Sequence, residues 1–166
     1  MDKLWAPWRQ TYVETPKDKP PPDGEECFIC MGATGTDDRA NLVVHRTALS
    51  VVVLNRYPYN NGHLLICPRS HKGQLEELSD NELLDLQHHL RRMSGIIRAR
   101  MNAEGFNVGL NLGRVAGAGV PGHLHWHIVP RWFGDTNFMP VVGDTKVISQ
   151  SLESLHDLLR EELAKE

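Results

Sequence analysis

From Asn41 onward apolar residues fall in short β-branched runs, at Leu42 to His45, Leu49 to Asn55 and His63 to Cys67, and each run predicts a strand. Asn61-Gly62, between two of these runs, is a turn signal in which both residues tolerate positive φ. The period then changes. Ser79-Asp80-Asn81-Glu82 reads as a capping box, and Leu83, Leu86, Leu90, Met93 and Ile97 follow at helical spacing. Gly105 is the expected stop for that helix. Phe106 to Leu112 and Leu124 to Val129 predict two more strands, and Leu152, Leu155, Leu159 and Leu163 a short terminal helix. The strand connections are short, which favours antiparallel pairing. The expected architecture is α+β, roughly a five-stranded antiparallel sheet with one long central helix and a short C-terminal helix.

Residues 1–26 do not share this pattern. Lys17 to Pro22 reads KDKPPP, which fits neither helix nor central strand, so it predicts an extended surface connector. Ahead of it, Leu4-Trp5-Ala6-Pro7-Trp8-Arg9 is too aromatic for a free tail and is expected to dock on the domain or on a partner subunit. The chain therefore divides into a docking segment and Pro-rich connector over 1–26 and a domain with a C-terminal extension over 27–166.

Composition narrows the picture modestly. A length of 166 residues suits one core, and 40% apolar with 23% charged residues is ordinary for a folded domain. A net charge of −3 gives no reason to expect nucleic acid, so a polyanionic ligand would have to be held by local groups. The apolar runs are too short to span a bilayer, and the first residues contain no secretory h-region. Three cysteines do not make a disulfide framework. The expected setting is cytoplasmic, with neither membrane nor nucleic acid as partner.

The chemistry concentrates in His123-Leu124-His125-Trp126-His127-Ile128-Val129. Strand period two puts His123, His125 and His127 on one face and Leu124, Trp126 and Ile128 on the other. Three imidazoles on one face need polar work to do, either as metal ligands or in catalysis. The preceding loop, from Gly113 to Gly122, carries glycines at 113, 117, 119 and 122, which lets backbone N–H groups approach an anion. Histidine suits attack on phosphorus, because one nitrogen can act as nucleophile while the other is held by a hydrogen bond.

This alternation resembles the motif of the histidine triad (HIT) family, and other positions match as well. Asn55 lies where that family has a nucleotide-contacting Asn, His63 matches its upstream Gly-His, and Asn111 its polar residue before the glycine loop. The resemblance covers about residues 27–135 and implies a HIT-like fold. It implies His125 as nucleophile, forming a nucleotidyl-phosphohistidine. His127 would contact the phosphate and leaving oxygen, and His63 would support the imidazole array. Asn55 would bind ribose, Asn111 a phosphate oxygen, and the backbone around Gly119 the developing charge. Family members form homodimers, which implies the same here.

Cys27-Phe28-Ile29-Cys30 is half of a tetrahedral zinc site. Zinc-bearing members of the family complete such a site with two histidines, and the resemblance assigns these to His71 and His123. His123 would then be a ligand of a structural zinc, not a catalyst. Cys67 reads as a small core residue. His88, His89 and His156, and the stripe of Arg91, Arg92, Arg98 and Arg100, read as solvated helix faces, and His45 gets the same reading.

The stretch from Pro130 to Pro140, continuing to Ile148, and the N-terminal LWAPWR resemble bacterial HIT proteins related to diadenosine tetraphosphate phosphorylases. The leading expectation is an enzyme that phosphorolyses diadenosine tetraphosphate to ADP and ATP. Hydrolysis of dinucleoside polyphosphates or of nucleoside phosphoramidates is the alternative, and a non-catalytic nucleotide-binding module is a third reading.

Overall fold

The computed structural model describes residues 27–136, 138–143 and 147–165. The Trp5–Trp8 segment and its Pro-rich connector lie outside the described residues. The elements run in the order α1 (Phe28–Thr34), β1 (Val43–Arg46), β2 (Ser50–Leu54), β3 (Leu64–Pro68), α2 (Asp80–Met101), β4 (Gly105–Leu110), β5 (Trp126–Arg131), α3 (Met139–Val142) and α4 (Leu152–Leu163). The strands form one antiparallel sheet in the order β1-β2-β3-β5-β4. Among the described residues no helix is long and apolar enough to cross a membrane.

The strand period sorts side chains onto two faces. Val52, Leu54, Leu64, Ile66 and Ile128 point to one side, where Leu86, Met93 and Ile97 of α2 and Leu155 and Leu159 of α4 complete the larger core. Val51, Val53, Leu65 and Cys67 point to the other side and pack with Ile29 and Ala33 of α1 in a smaller cluster. Every residue of β2 and β3 is buried, because both faces of these strands are covered. Cys67 is fully buried there, as its apolar surroundings implied.

Ser79 caps α2 as expected: its hydroxyl accepts from Glu82 N–H, and the Glu82 carboxylate accepts from Ser79 N–H. The far end differs from the sequence reading. Asn102, at φ +52°, is the left-handed cap, and Gly105 is already the first residue of β4. Asn tolerates that conformation nearly as well as Gly, so the helix stops three residues early. In the Asn61-Gly62 turn only Gly62 takes positive φ.

Two further readings are corrected by packing. His89 on α2 and His156 on α4 are each only 5% exposed. His156 Nε2 donates to the Val43 carbonyl at 2.9 Å and ties α4 to the sheet margin, while His89 faces His45 across a T-shaped ring contact. Arg98 and Arg100 do have surface tasks, over the Phe106 ring and against Glu162.

Candidate active site

The histidine array occupies the sheet face opposite α2. The His127 position pairs with Leu65, whose side chain belongs to the α1 side, while Leu124, Trp126 and Ile128 enter the larger core. The alternation thus reaches beyond the strand proper, which begins only at Trp126. Leu124 N–H donates to the Lys72 carbonyl at 2.7 Å and carries the extended backbone back past His123.

His63 and His127 are joined by a 2.9 Å contact between His63 Nε2 and His127 Nδ1. The backbone N–H of Tyr59 donates to His63 Nδ1 at 3.0 Å, and Asn55 Nδ2 approaches the same nitrogen at 3.2 Å. With Nδ1 accepting, the proton of His63 belongs on Nε2, which donates to His127 Nδ1. Neutral His127 then carries its own proton on Nε2, a buried nitrogen with no hydrogen-bond partner among the described residues. Burial, helped by the neighbouring His125, lowers the His127 pKa to about 4, so the ring is neutral at pH 7.

His125 Nδ1 donates to the His123 carbonyl at 2.7 Å, which leaves Nε2 as the bare lone pair. Its pKa is also lowered, by burial. The His125 and His127 rings meet edge to face at 5.2 Å. The arrangement presents a lone pair and a hydrogen-bond donor side by side, as nucleophile and leaving-group acid require.

Asn55 stands beside this array, its amide oxygen accepting from Tyr57 N–H. It also lines a cavity of about 270 Å³ with Phe28, Met31, Leu42, Arg56 and Tyr57. The sequence reading did not include these five. They come from α1 and from both ends of the β1–β2 hairpin, and no local spacing links them. Among them Leu42 stands out in the structure: at φ +57° it occupies a left-handed conformation that a leucine rarely takes. Tyr59 was missed too, because its backbone N–H and ring position depend on the turn leading into His63.

The glycine loop divides its tasks. Gly113 and Gly117 hold φ +75° and +93°, and the Asn111 amide lies 4.0 Å from where a Gly117 Cβ would stand. Gly122 approaches His71 so closely that a Cβ would meet its ring at 3.2 Å. Gly119 is exposed, lies outside the left-handed region, and a Cβ there would meet open space. Within the Gly117–Gly122 stretch, positive φ is therefore found at Gly117 and not at Gly119.

Cys27, Cys30, His71 and His123 come together from α1, the end of β3 and the start of the triad, with all ligand atoms within 4.8 Å of one another. Cys27 is the N-cap of α1 and Cys30 is three residues on, so both thiols project from one side of its first turn. Cys27 Sγ and Cys30 Sγ each lie 3.4 Å from His123 Nδ1, and Cys30 Sγ lies 3.2 Å from His71 Nδ1. Tetrahedral zinc with these ligands spaces sulfur and nitrogen by about 3.6 Å. His123 Nε2 donates to the Pro68 carbonyl at 2.8 Å, leaving Nδ1 free to ligate. Burial and the adjacent Cys27 push the Cys30 thiol up to about 11, so a thiolate pair here calls for a cation. The four residues fit zinc.

A family model described as the HIT domain matches residues 37–134. The chain belongs to the HIT family. Over its full length this HIT protein is 39% identical to the AP-4-A phosphorylase of Mycobacterium tuberculosis, across 86% of that relative. A histidine triad nucleotide-binding protein from Sulfolobus tokodaii superposes with a TM-score of 0.66 at 26% identity, covering 84% of this chain and 93% of that one. A Zn-bound histidine triad family protein from Mycobacterium smegmatis shares the fold with a TM-score of 0.66 at 22% identity, over 86% of this chain and 96% of that one.

Proposed function

We propose that this HIT enzyme transfers a nucleotidyl group from a dinucleoside polyphosphate to inorganic phosphate through a covalent intermediate on His125. The observation that carries the reading is the pairing of the His125 Nε2 lone pair with the His127 Nε2 donor. His125 Nε2 attacks the α-phosphorus while its Nδ1–H stays on the His123 carbonyl, and the P–O bond to the departing polyphosphate breaks. His127 Nε2–H gives its hydrogen bond to the leaving oxygen, and His63 holds the donor in that tautomer. Phosphate then attacks the same phosphorus and releases His125.

Asn55 is assigned to the ribose, with the base in the cavity lined by Phe28, Leu42 and Tyr57. Asn111 and the backbone near Gly117 and Gly119 are assigned to the phosphate oxygens. Zinc held by Cys27, Cys30, His71 and His123 supplies cross-linking of α1 to the triad strand when bound, and takes no part in the reaction. A homodimer formed along β4 completes the assembly: β4 is the last strand of the sheet, and Val108 on it is 52% exposed.

The 39% identity to an AP-4-A phosphorylase over the whole chain favours diadenosine tetraphosphate as substrate and phosphate as acceptor. Incubation with diadenosine tetraphosphate, with and without phosphate, tests this directly. ADP and ATP should form only when phosphate is present. Products formed equally well without phosphate would make water the acceptor, and no turnover would leave a binding module.

A further inference from the structure

The side chain of Tyr59 meets both members of the His63–His127 pair. Its ring stacks nearly parallel on His127, with 5.7 Å between centroids and 15° between planes, and lies 4.6 Å from the His63 ring at a tilt of 40°. Attractive ring pairs separate their centroids by about 4.5–7 Å, so both contacts hold. The two imidazoles are themselves 5.1 Å apart, and the three rings form one cluster around the contact between His63 Nε2 and His127 Nδ1.

The turn that carries this ring is tied to the strand that carries His127. Pro58 fixes φ just ahead of Tyr59. Just after it, Asn60 Nδ2 donates to the Pro130 carbonyl at 3.1 Å and to Asp135 Oδ2 at 2.8 Å. Asp135 is held in turn by Arg131 at 2.6 Å, and both Pro130 and Arg131 belong to β5. On the other side, His63 N–H donates to the Asn60 carbonyl at 3.2 Å. The backbone thus places Tyr59 relative to both histidines, and a side chain that is 52% exposed can keep one position there. Its hydroxyl makes no hydrogen bond to any described residue, so the contact is made by the ring.

A single hydrogen bond fixes a distance but leaves an imidazole some freedom to pivot about it. A flat ring laid against His127 removes that freedom. Resting on the reaction proposed above, we propose that Tyr59 is a positioning residue, whose ring holds the His63–His127 pair in the geometry from which His127 meets the departing polyphosphate.

The proton of the His63–His127 hydrogen bond should give a downfield NMR signal in the full chain, assigned by its loss in His63→Phe. Tyr59→Ala removes the ring and keeps the backbone N–H that donates to His63. The signal should be present in the native chain and in Tyr59→Phe and absent from Tyr59→Ala. With diadenosine tetraphosphate and phosphate, Tyr59→Ala should lower kcat about tenfold with KM changed by less than about twofold, because small misplacements of a reacting group are costly. Tyr59→Phe should recover most of that loss. A signal that persists in Tyr59→Ala overturns the positioning role, as does a raised KM at unchanged kcat or an equal loss in Tyr59→Phe. A signal lost only in Tyr59→Ala, from a native chain without turnover, upholds the placement of the ring and overturns the proposed reaction instead.

Discussion

The carbonyl of His123 accepts the Nδ1–H of His125 at 2.7 Å, while the ring of the same His123 turns its own Nδ1 toward Cys27 and Cys30. One residue thus serves the cysteine cluster through its side chain and the proposed nucleophile through its backbone. Cys30→Ala should therefore lower zinc content, stability and turnover together. Loss of a structural metal removes folding free energy, and about 3 kcal/mol lowers the melting temperature of a chain this size by roughly 6–12 °C. Metal analysis beside a melting curve checks this; a variant melting like the native chain refutes it.

His125→Gly should reduce kcat by about 10⁴-fold or more while nucleotide binding persists, since the missing group acts in the chemical step. Quenching the native enzyme during turnover with labelled substrate should trap an acid-labile nucleotidyl-protein, and the variant should give none. Retention of near-native kcat would remove His125 from the mechanism.

The tautomer relay from Tyr59 N–H through His63 to His127 can be interrupted without touching His125. His63→Phe keeps a flat ring but no longer fixes the proton on His127. We expect kcat to fall about tenfold, near 1.4 kcal/mol of barrier, with KM nearly unchanged. A purely structural role for His63 would move the melting temperature and spare kcat.

Glu82 offers a pH test of stability. The Lys72 ammonium, with Ser79 N–H and the Ser70 and Ser79 hydroxyls, holds its carboxyl down at about 2. A depressed carboxyl stabilises the fold fully above its ordinary pKa and loses that contribution as pH falls through the folded value. The Glu82 contribution should therefore be complete above about pH 4.5 and fade toward pH 2. Glu82→Gln should cost about 1.5–3 kcal/mol at pH 7, and the gap to the native chain should close on acidification. A gap independent of pH would show that packing, not charge, is responsible.

The glycines of the loop make a matched pair. Gly117→Val forces a β-branched residue to φ +93° and should cost about 1–3 kcal/mol. If the loop cradles phosphate, KM rises as well. Gly119→Ala meets open space and should leave folding unchanged. Unaltered kinetics in Gly117→Val, with only a lower melting point, would reduce the loop to a turn.

The strand and helix pattern was readable because each period is local: the triad's alternation, the Ser79 box and the leucines of α4 all appear where the apolar spacing puts them. Half of the zinc-fitting cluster, Cys27 and Cys30, was readable from its spacing, but His71 and His123 joined it only through family resemblance, since 96 residues separate Cys27 from His123. His89 and His156 were misread because a polar residue on a helix looks solvated until a neighbouring strand covers it. The cavity beside Asn55 was invisible for a related reason. Phe28, Leu42 and Tyr57 are unremarkable singly, and only the return of α1 over the β1–β2 hairpin brings them together. Which loop glycine takes positive φ was not legible, because backbone dihedrals within a glycine-rich loop leave no trace in residue type.

The two faces of the sheet carry unequal shares of the apolar core. The side covered by α2 and α4 holds the larger cluster, whereas the side bearing the histidines is closed by a seven-residue helix over the smaller cluster. Folding free energy thus comes mostly from the face opposite the histidines. Residues around the cavity beside Asn55, such as Met31 and Tyr57, can therefore be exchanged with little risk of unfolding the chain. On the proposed reading, substrate preference is free to drift on one face while the other keeps the architecture fixed.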